Sequence, residues 1–426
     1  MSDYTKMWTD LGLDLQAHDV LLGVLGNAYQ EIFLSQKNRP QAMQYFDFVM
    51  SEVHGLRIKE LVDARKEGRI VVGSYCVFVP EELILAVNGV SVGLCAGAEF
   101  NFEGAETMLP RNTCALIKSA FGFKLGKVCP YIEACDIVVG ENTCDGKKKS
   151  YEILSDLLKD FYVIDLPQMK SDSAKKLLKE EYKKFIQKLE DVSGKKVTAE
   201  SLKKGIDIVN AKRKAVKRLA ELRKADPTPI SGLDALLVNQ VFFYDDPVRF
   251  TDSVNKLCDE LEERIKKGIG VFPKGTKRLV ISGCPMAVPN WKVPWIIETS
   301  GATIVGEESC VGERGTQWMT ETKGSNINEL LDAIVDRYFT IDCAIFTPNP
   351  SRLEHIKTMA KQLKAHGVIH YGLQFCQPYI IESHDVEKSL EKDGIPTLRI
   401  ETDYGQEDAG QLKTRIEAFV EMLGNK

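Results

Sequence analysis

The stretch RIVVGSYCVFVPEELILAVNGVSVGLC (69–95) reads as strand, helix and strand in succession. RIVVGSY (69–75) is a continuous apolar run of strand length, as in a strand buried on both faces. Pro80 opens a helix at EELILAVN (81–88), because a proline in the first helical turn gives up no needed hydrogen bond. VSVGL (90–94) is a second short strand. Working outward, CDIVVGE (135–141) and FYVIDLP (161–167) repeat the apolar strand pattern. Such strands alternating with helices indicate a parallel sheet covered on both sides.

The chain has 426 residues, more than one core ordinarily serves, so at least two domains are expected. Residues 1–68 read as an N-terminal helical segment, with an amphipathic helix near Gln41–Arg65. Residues 69–170 read as the first α/β domain and residues 171–267 as a helical connection. In that connection Leu178, Tyr182, Phe185 and Leu189 form one apolar stripe on a Lys/Glu-rich helix, and Leu202, Ile206, Val209 and Val216 form a second. Residues 268–426 return to strands: RLVISG (278–283), ATIVGEE (302–308), DCAIFTP (342–348), GVIHYGLQF (367–375) and PTLRIE (396–401). The fold expected is therefore α/β, with parallel sheets in two domains and helices between them. No internal repeat stands out.

Hydrophobic residues make up 44% and charged residues 27%, values of a soluble globular protein. A net charge of −5 argues against a nucleic-acid surface. The N-terminus lacks a basic, apolar leader and no run nears the roughly 18 apolar residues of a membrane span, so a cytoplasmic protein is expected.

The chain has eleven cysteines, an odd number that suits a disulfide framework poorly. Five of them, Cys76, Cys144, Cys284, Cys310 and Cys376, follow apolar strands, and ligands of open parallel sheets bind beyond those carboxyl ends. Pro285 and Pro378 place Cys284 and Cys376 near helix starts, where free amides favour a thiolate. Cys129 precedes Pro130 in the same way, Cys114 lies near another helix start, and Lys147, Lys148 and Lys149 follow Cys144. Cys258, in a helix, and Cys343, in the strand read at 342–348, look structural, and Cys135 opens a strand. Neither a C-x2-C knuckle nor a ferredoxin run occurs. The residues alone leave an iron–sulfur cluster, a zinc site and scattered packing cysteines open. No G-x-x-x-x-G-K-[ST] loop occurs, no G-x-G-x-x-G follows a strand, and the six histidines show no paired-ligand spacing.

Longer motifs add a resemblance. GSYCVFVPEEL (73–83), LPRNTCALIKS (109–119), KVCPY (127–131), VVGENTCDGKKKSYE (138–152), SGCPM (282–286), GEESCVGER (306–314), QFCQPY (374–379) and ETDYGQEDAGQLKTRIEAF (401–419) resemble the D-component family of 2-hydroxyacyl-CoA dehydratases and benzoyl-CoA reductases, most closely its double-cubane cluster branch. The resemblance implies two Rossmann- or flavodoxin-like domains with a cluster between them. It implies that Cys114, Cys144 and Cys376 hold one 4Fe–4S cubane, as in ordinary members. For the branch with two linked cubanes, an 8Fe type, Cys129, Cys284 and Cys310 are the expected further ligands, with Cys76 and Cys95 in reserve. It also implies a separate ATP-hydrolysing iron–sulfur activator as electron donor, a small-molecule substrate, and a homodimer. The activity expected is that of an ATP-dependent iron–sulfur reductase component. The alternatives are a 2-hydroxyacyl-CoA dehydratase subunit, a lyase, or a cluster-bearing electron carrier without a substrate of its own.

Overall fold

The computed structural model describes residues 4–424. Among the described residues eight strands form two four-stranded, wholly parallel sheets. The first contains β1 (Val71–Ser74), β2 (Val90–Gly93), β3 (Ile137–Glu141) and β4 (Phe161–Ile164), in the order β2-β1-β3-β4. The second contains β5 (Lys277–Gly283), β6 (Ala302–Glu308), β7 (Gly367–Leu373) and β8 (Thr397–Thr402), in the order β6-β5-β7-β8. Every residue of β3, β6 and β7 is buried, which is why these strands read as unbroken apolar runs. Helices cover both sheets, giving two domains of Rossmann or flavodoxin type.

Between the sheets the chain forms the helices Asp172–Ser193, Ala199–Leu222, Gly232–Val241 and Pro247–Lys266. Ser171 caps the first through the amide of Ala174, and Thr198 and Ser201 cap each other at the second. Leu178, Tyr182, Phe185 and Leu189 are fully buried, so the stripe meets the core as its spacing requires. The helix Ala199–Leu222 ties the two sheets together. Lys212 and Arg213 pair with Glu81 and Glu82 of the first domain, while Arg223 pairs with Glu307 at the end of β6. At the N-terminal side, Phe33 packs edge-on against Trp291 of the second domain, with ring centroids 4.9 Å apart.

Three local expectations change. The stretch Gln41–Arg65 is two helices, Met43–Ser51 and Leu56–Lys66, because the chain turns at 52–55. Residues 342–348 are turn and loop rather than strand. The two neighbours of β7 are β5 and β8, so no ladder position is open there, and Phe346 instead fills the space against Phe78 of the first domain. Cys284 is not at a helix start, since the following helix begins at Lys292. Among the described residues no helix is long and apolar enough to cross a membrane.

Candidate functional site

The carboxyl ends of both sheets face one cavity of about 1070 Å³. Eight cysteines line it: Cys76, Cys95, Cys114, Cys144, Cys284, Cys310, Cys343 and Cys376. Cys76, Cys95 and Cys144 leave β1, β2 and β3; Cys284, Cys310 and Cys376 leave β5, β6 and β7. Cys114 and Cys343 lie on the crossovers between the second and third strands of their domains. Each half of the molecule thus contributes four thiols from matching places.

The backbone prepares several of these sulfurs for negative charge. Cys114, Cys144 and Cys376 are the N-cap residues of the helices Ala115–Leu125, Asp145–Ser155 and Gln377–Lys392. The Lys147 amide donates to Cys144 Sγ at 3.5 Å, and the Leu373 amide to Cys284 Sγ at 3.3 Å. Cys376 lies within hydrogen-bonding range of both Cys114 and Cys284, and Cys76 of Cys310. Two cations, fully buried Arg314 and partly buried Lys147, stand beside the sulfurs. Arg314 donates to Cys310 Sγ at 3.4 Å, and Lys147, paired with Glu141, reaches the cavity wall. The hydrogen bond from Cys76 and the guanidinium of Arg314 hold the Cys310 thiol below the usual range against the opposing effect of burial, while Cys76 is pushed up. Burial raises Cys95 to about 12 and also raises Cys144 and Cys343.

Five of the six expected ligands, Cys114, Cys144, Cys284, Cys310 and Cys376, therefore come together. Cys129 does not join them. It caps the short helix Pro130–Ala134 away from the cavity, and burial pushes its thiol up to about 11. Both reserves, Cys76 and Cys95, line the cavity. Cys258 is fully buried in its helix, and the Cys135 thiol donates to the Tyr131 carbonyl at 3.1 Å. Lys148 and Lys149 pair with Asp145 and Glu152 on the surface, so Lys147 alone of the three faces inward.

Sequence reasoning missed Cys343, whose Sγ lies 3.6 Å from Tyr379 Oη, and it gave no role to Arg314. Arg314 is fully buried and belongs to an ionic chain. It pairs with Glu308 at 2.7 Å, Glu308 with Arg352 at 2.9 Å, and Arg352 with Glu382. Opposite charges hold the Glu308 carboxyl down at about 2 although burial opposes this.

A family model described as 2-hydroxyglutaryl-CoA dehydratase, D-component, matches residues 76–423. A putative dehydratase subunit, YjiM, of Escherichia coli (strain K12) is 34% identical over 88% of this chain and 96% of its own length. The (R)-phenyllactyl-CoA dehydratase beta subunit of Clostridium sporogenes is 28% identical over 84% of this chain and 92% of its own. The beta subunit of (R)-2-hydroxyglutaryl-CoA dehydratase from Acidaminococcus fermentans is 22% identical over 85% and 95%.

Proposed function

Because the chain belongs to the 2-hydroxyglutaryl-CoA dehydratase D-component family, we propose that its cavity holds an iron–sulfur cluster of the double-cubane type and that the protein is the reductase component of an ATP-dependent system. The observation that carries this reading is the surplus of thiols. One cubane on Cys114, Cys144 and Cys376 would leave five further cavity cysteines unused. Cys76, Cys284 and Cys310 supply a second set of three, with Cys76 in the place expected for Cys129.

The donor set fits such a group. All the candidate ligands are soft sulfur, which suits iron–sulfur clusters or zinc. A zinc ion with Zn–S bonds of about 2.3 Å would need its sulfurs within about 4 Å of one another. Among the described residues the group of possible ligands that lies mutually within 4.8 Å is Glu99, Asp403 and Glu407, without a cysteine. The cavity sulfurs approach one another pairwise, Cys376 with Cys114 and with Cys284 and Cys76 with Cys310, and eight thiols around one cavity are more donors than a single four-coordinate ion takes.

When bound, the cluster would supply electrons of low potential. The residues of the chain do the rest. Helix N-termini at Cys114, Cys144 and Cys376, with Lys147 and Arg314, offset the negative charge of thiolates. The apolar wall formed by Val77, Leu116, Val311 and Leu373 limits water at the sulfurs. At about 1070 Å³ the cavity is slightly larger than the ~300–1,000 Å³ of ordinary ligand pockets, which leaves room for a small molecule beside a cluster.

A separate ATP-hydrolysing iron–sulfur partner would charge the site, since this chain carries no phosphate-binding loop of the Walker type. The second reading, a dehydratase subunit acting on a 2-hydroxyacyl-CoA, is favoured by the names of the relatives. Turnover of the purified protein with a strong reductant, with and without the ATPase partner and ATP, tests the proposal. Strict dependence on hydrolysable ATP supports it, equal rates without the partner overturn it, and water loss from a 2-hydroxyacyl-CoA would establish the second reading.

A further inference from the structure

Reduction of a bound molecule consumes protons as well as electrons, and the cavity contains few groups able to give one. Asp145 and Asp385 stand exposed at the rim. Lys147 is committed to Glu141. The Tyr244 hydroxyl donates to the Cys95 carbonyl at 3.1 Å, the Tyr379 hydroxyl is held by Arg314, and Tyr75 is a phenol, a weak acid with an ordinary value of about 10. His355 and His370 are buried but do not line the cavity, and burial favours their neutral forms.

Glu382 remains. In the helix Gln377–Lys392, Pro378, Ile381, Glu382 and Asp385 share one face, spaced i, i+3, i+4 and i+7, and all four line the cavity. Glu382 Oε1 accepts from Asn349 Nδ2 at 2.7 Å, and Oε2 pairs with Arg352. The side chain is 13% exposed, shielded but in reach of the cavity. Asp385, three residues on, lines the same cavity and is exposed.

We propose that Glu382 is the proton donor to the molecule bound in this cavity, an inference that rests on the reductase reading given above. The substrate would gain two electrons, delivered one at a time by the low-potential iron–sulfur reductant, and two protons, each passed through Glu382, which is reprotonated from bulk water between the two transfers. The O–H bond of the Glu382 carboxylic acid breaks, a new bond to hydrogen forms on the substrate, and the carboxylate stays paired with Arg352. Bulk water restores the proton.

The ionic chain gives this acid a link to the sulfurs. Arg352 holds Glu382 on one side and Glu308 on the other; Glu308 holds Arg314, which reaches Cys310. Negative charge arriving at the sulfur end favours proton uptake at the carboxyl end by simple Coulomb interaction. Burial already raises the Glu382 carboxyl, while Arg352 and Asn349 oppose that rise.

The test uses Glu382→Gln and Glu382→Asp in the full-length protein with its ATPase partner. Glu382→Gln is expected to keep the wild-type iron content and lose kcat by about 10²- to 10³-fold. Glu382→Asp is expected to recover part of that loss with a displaced pH profile. Full iron with kcat within twofold of wild type in Glu382→Gln would overturn the inference. Infrared difference spectra of the cluster-free protein give a second readout, free of turnover. They should show a buried carboxyl titrating above the ordinary glutamate value of about 4.3, and Glu382→Gln should lack it. Wild-type protein without iron or ATP-dependent turnover would overturn the reading of the cavity instead. The infrared arm then still decides, because an ordinary titration at Glu382 refutes the acid.

Discussion

Replacing Gly283 by alanine should damage the fold and the site together. Gly283 ends β5 with φ +138°, a conformation that residues with a Cβ rarely adopt. A Cβ there would stand 1.9 Å from the Tyr371 carbonyl oxygen and 2.9 Å from its carbon. Both atoms are backbone of β7, so the strands must separate by about 1 Å or more to reach tolerable contact. That movement breaks the hydrogen bond from the Cys284 amide to the Tyr371 carbonyl (3.0 Å) and the one from the Leu373 amide to Cys284 Sγ (3.3 Å). Two such bonds contribute about 1 kcal/mol each, and the forced backbone conformation adds about 1–3 kcal/mol. The expected loss is about 3–5 kcal/mol, a large part of the 5–15 kcal/mol that holds an ordinary fold. Urea denaturation of the cluster-free protein measures it, with iron content of the anaerobically purified variant alongside. Gly268→Ala is the control: its φ is +65°, nothing lies within 4 Å of the added Cβ, and about 1 kcal/mol is expected with iron intact. A Gly283→Ala protein as stable as that control and fully loaded with iron would refute the reasoning.

Serine in place of any one of Cys76, Cys114, Cys144, Cys284, Cys310 or Cys376 should lower iron per chain, whereas Cys129→Ala and Cys258→Ala should keep it. Cys258→Ala should cost only packing, about 1–3 kcal/mol by denaturation, and equal iron loss across all variants would point to unfolding instead of ligation. The pH dependence of stability should carry the mark of His370, whose Nε2–H donates to the Tyr379 carbonyl at 3.1 Å. Burial, reinforced by Arg352, lowers its pKa from 6.5 to about 4, so between these values the folded protein binds fewer protons than the unfolded chain. Its contribution is therefore complete above about pH 6.5 and falls as pH drops to about 4, by on the order of 3 kcal/mol. His370→Phe should flatten that slope in denaturation midpoints taken across this range, and an unchanged slope would count against the account.

Strands buried on both faces were legible because their sequences carry the apolar run directly, as RIVVGSY and RLVISG show. The run DCAIFTP misled for the same reason. Its apolar residues fill space between domains, with Phe346 against Phe78, and periodicity cannot separate that use from a strand. The error also hid Cys343, which would have been recognised as a cavity residue had its segment been read as a loop. Cys129 shows the opposite case. A cysteine before a proline at a helix start looks like a prepared thiolate, yet the helix Pro130–Ala134 has five residues and lies off the cavity. The two sheets share one strand order, 2-1-3-4 within each domain, although no sequence repeat was visible. Topology survives as long as strands stay apolar and crossovers stay helical, so the repeat lies in the placement of four cysteines per half and not in the intervening residues. The ionic chain from Arg314 to Glu382 spans separate elements and left no local signal at all.

Iron and acid-labile sulfide per chain, measured on anaerobically purified protein, test the central claim most directly. If six cavity cysteines hold two cubanes as proposed, three to each, about eight irons with a matching amount of sulfide are expected. A value near four irons would leave Cys76, Cys284 and Cys310 without the role proposed for them and return the protein to a single-cubane dehydratase subunit. Zinc without iron would contradict the cluster itself.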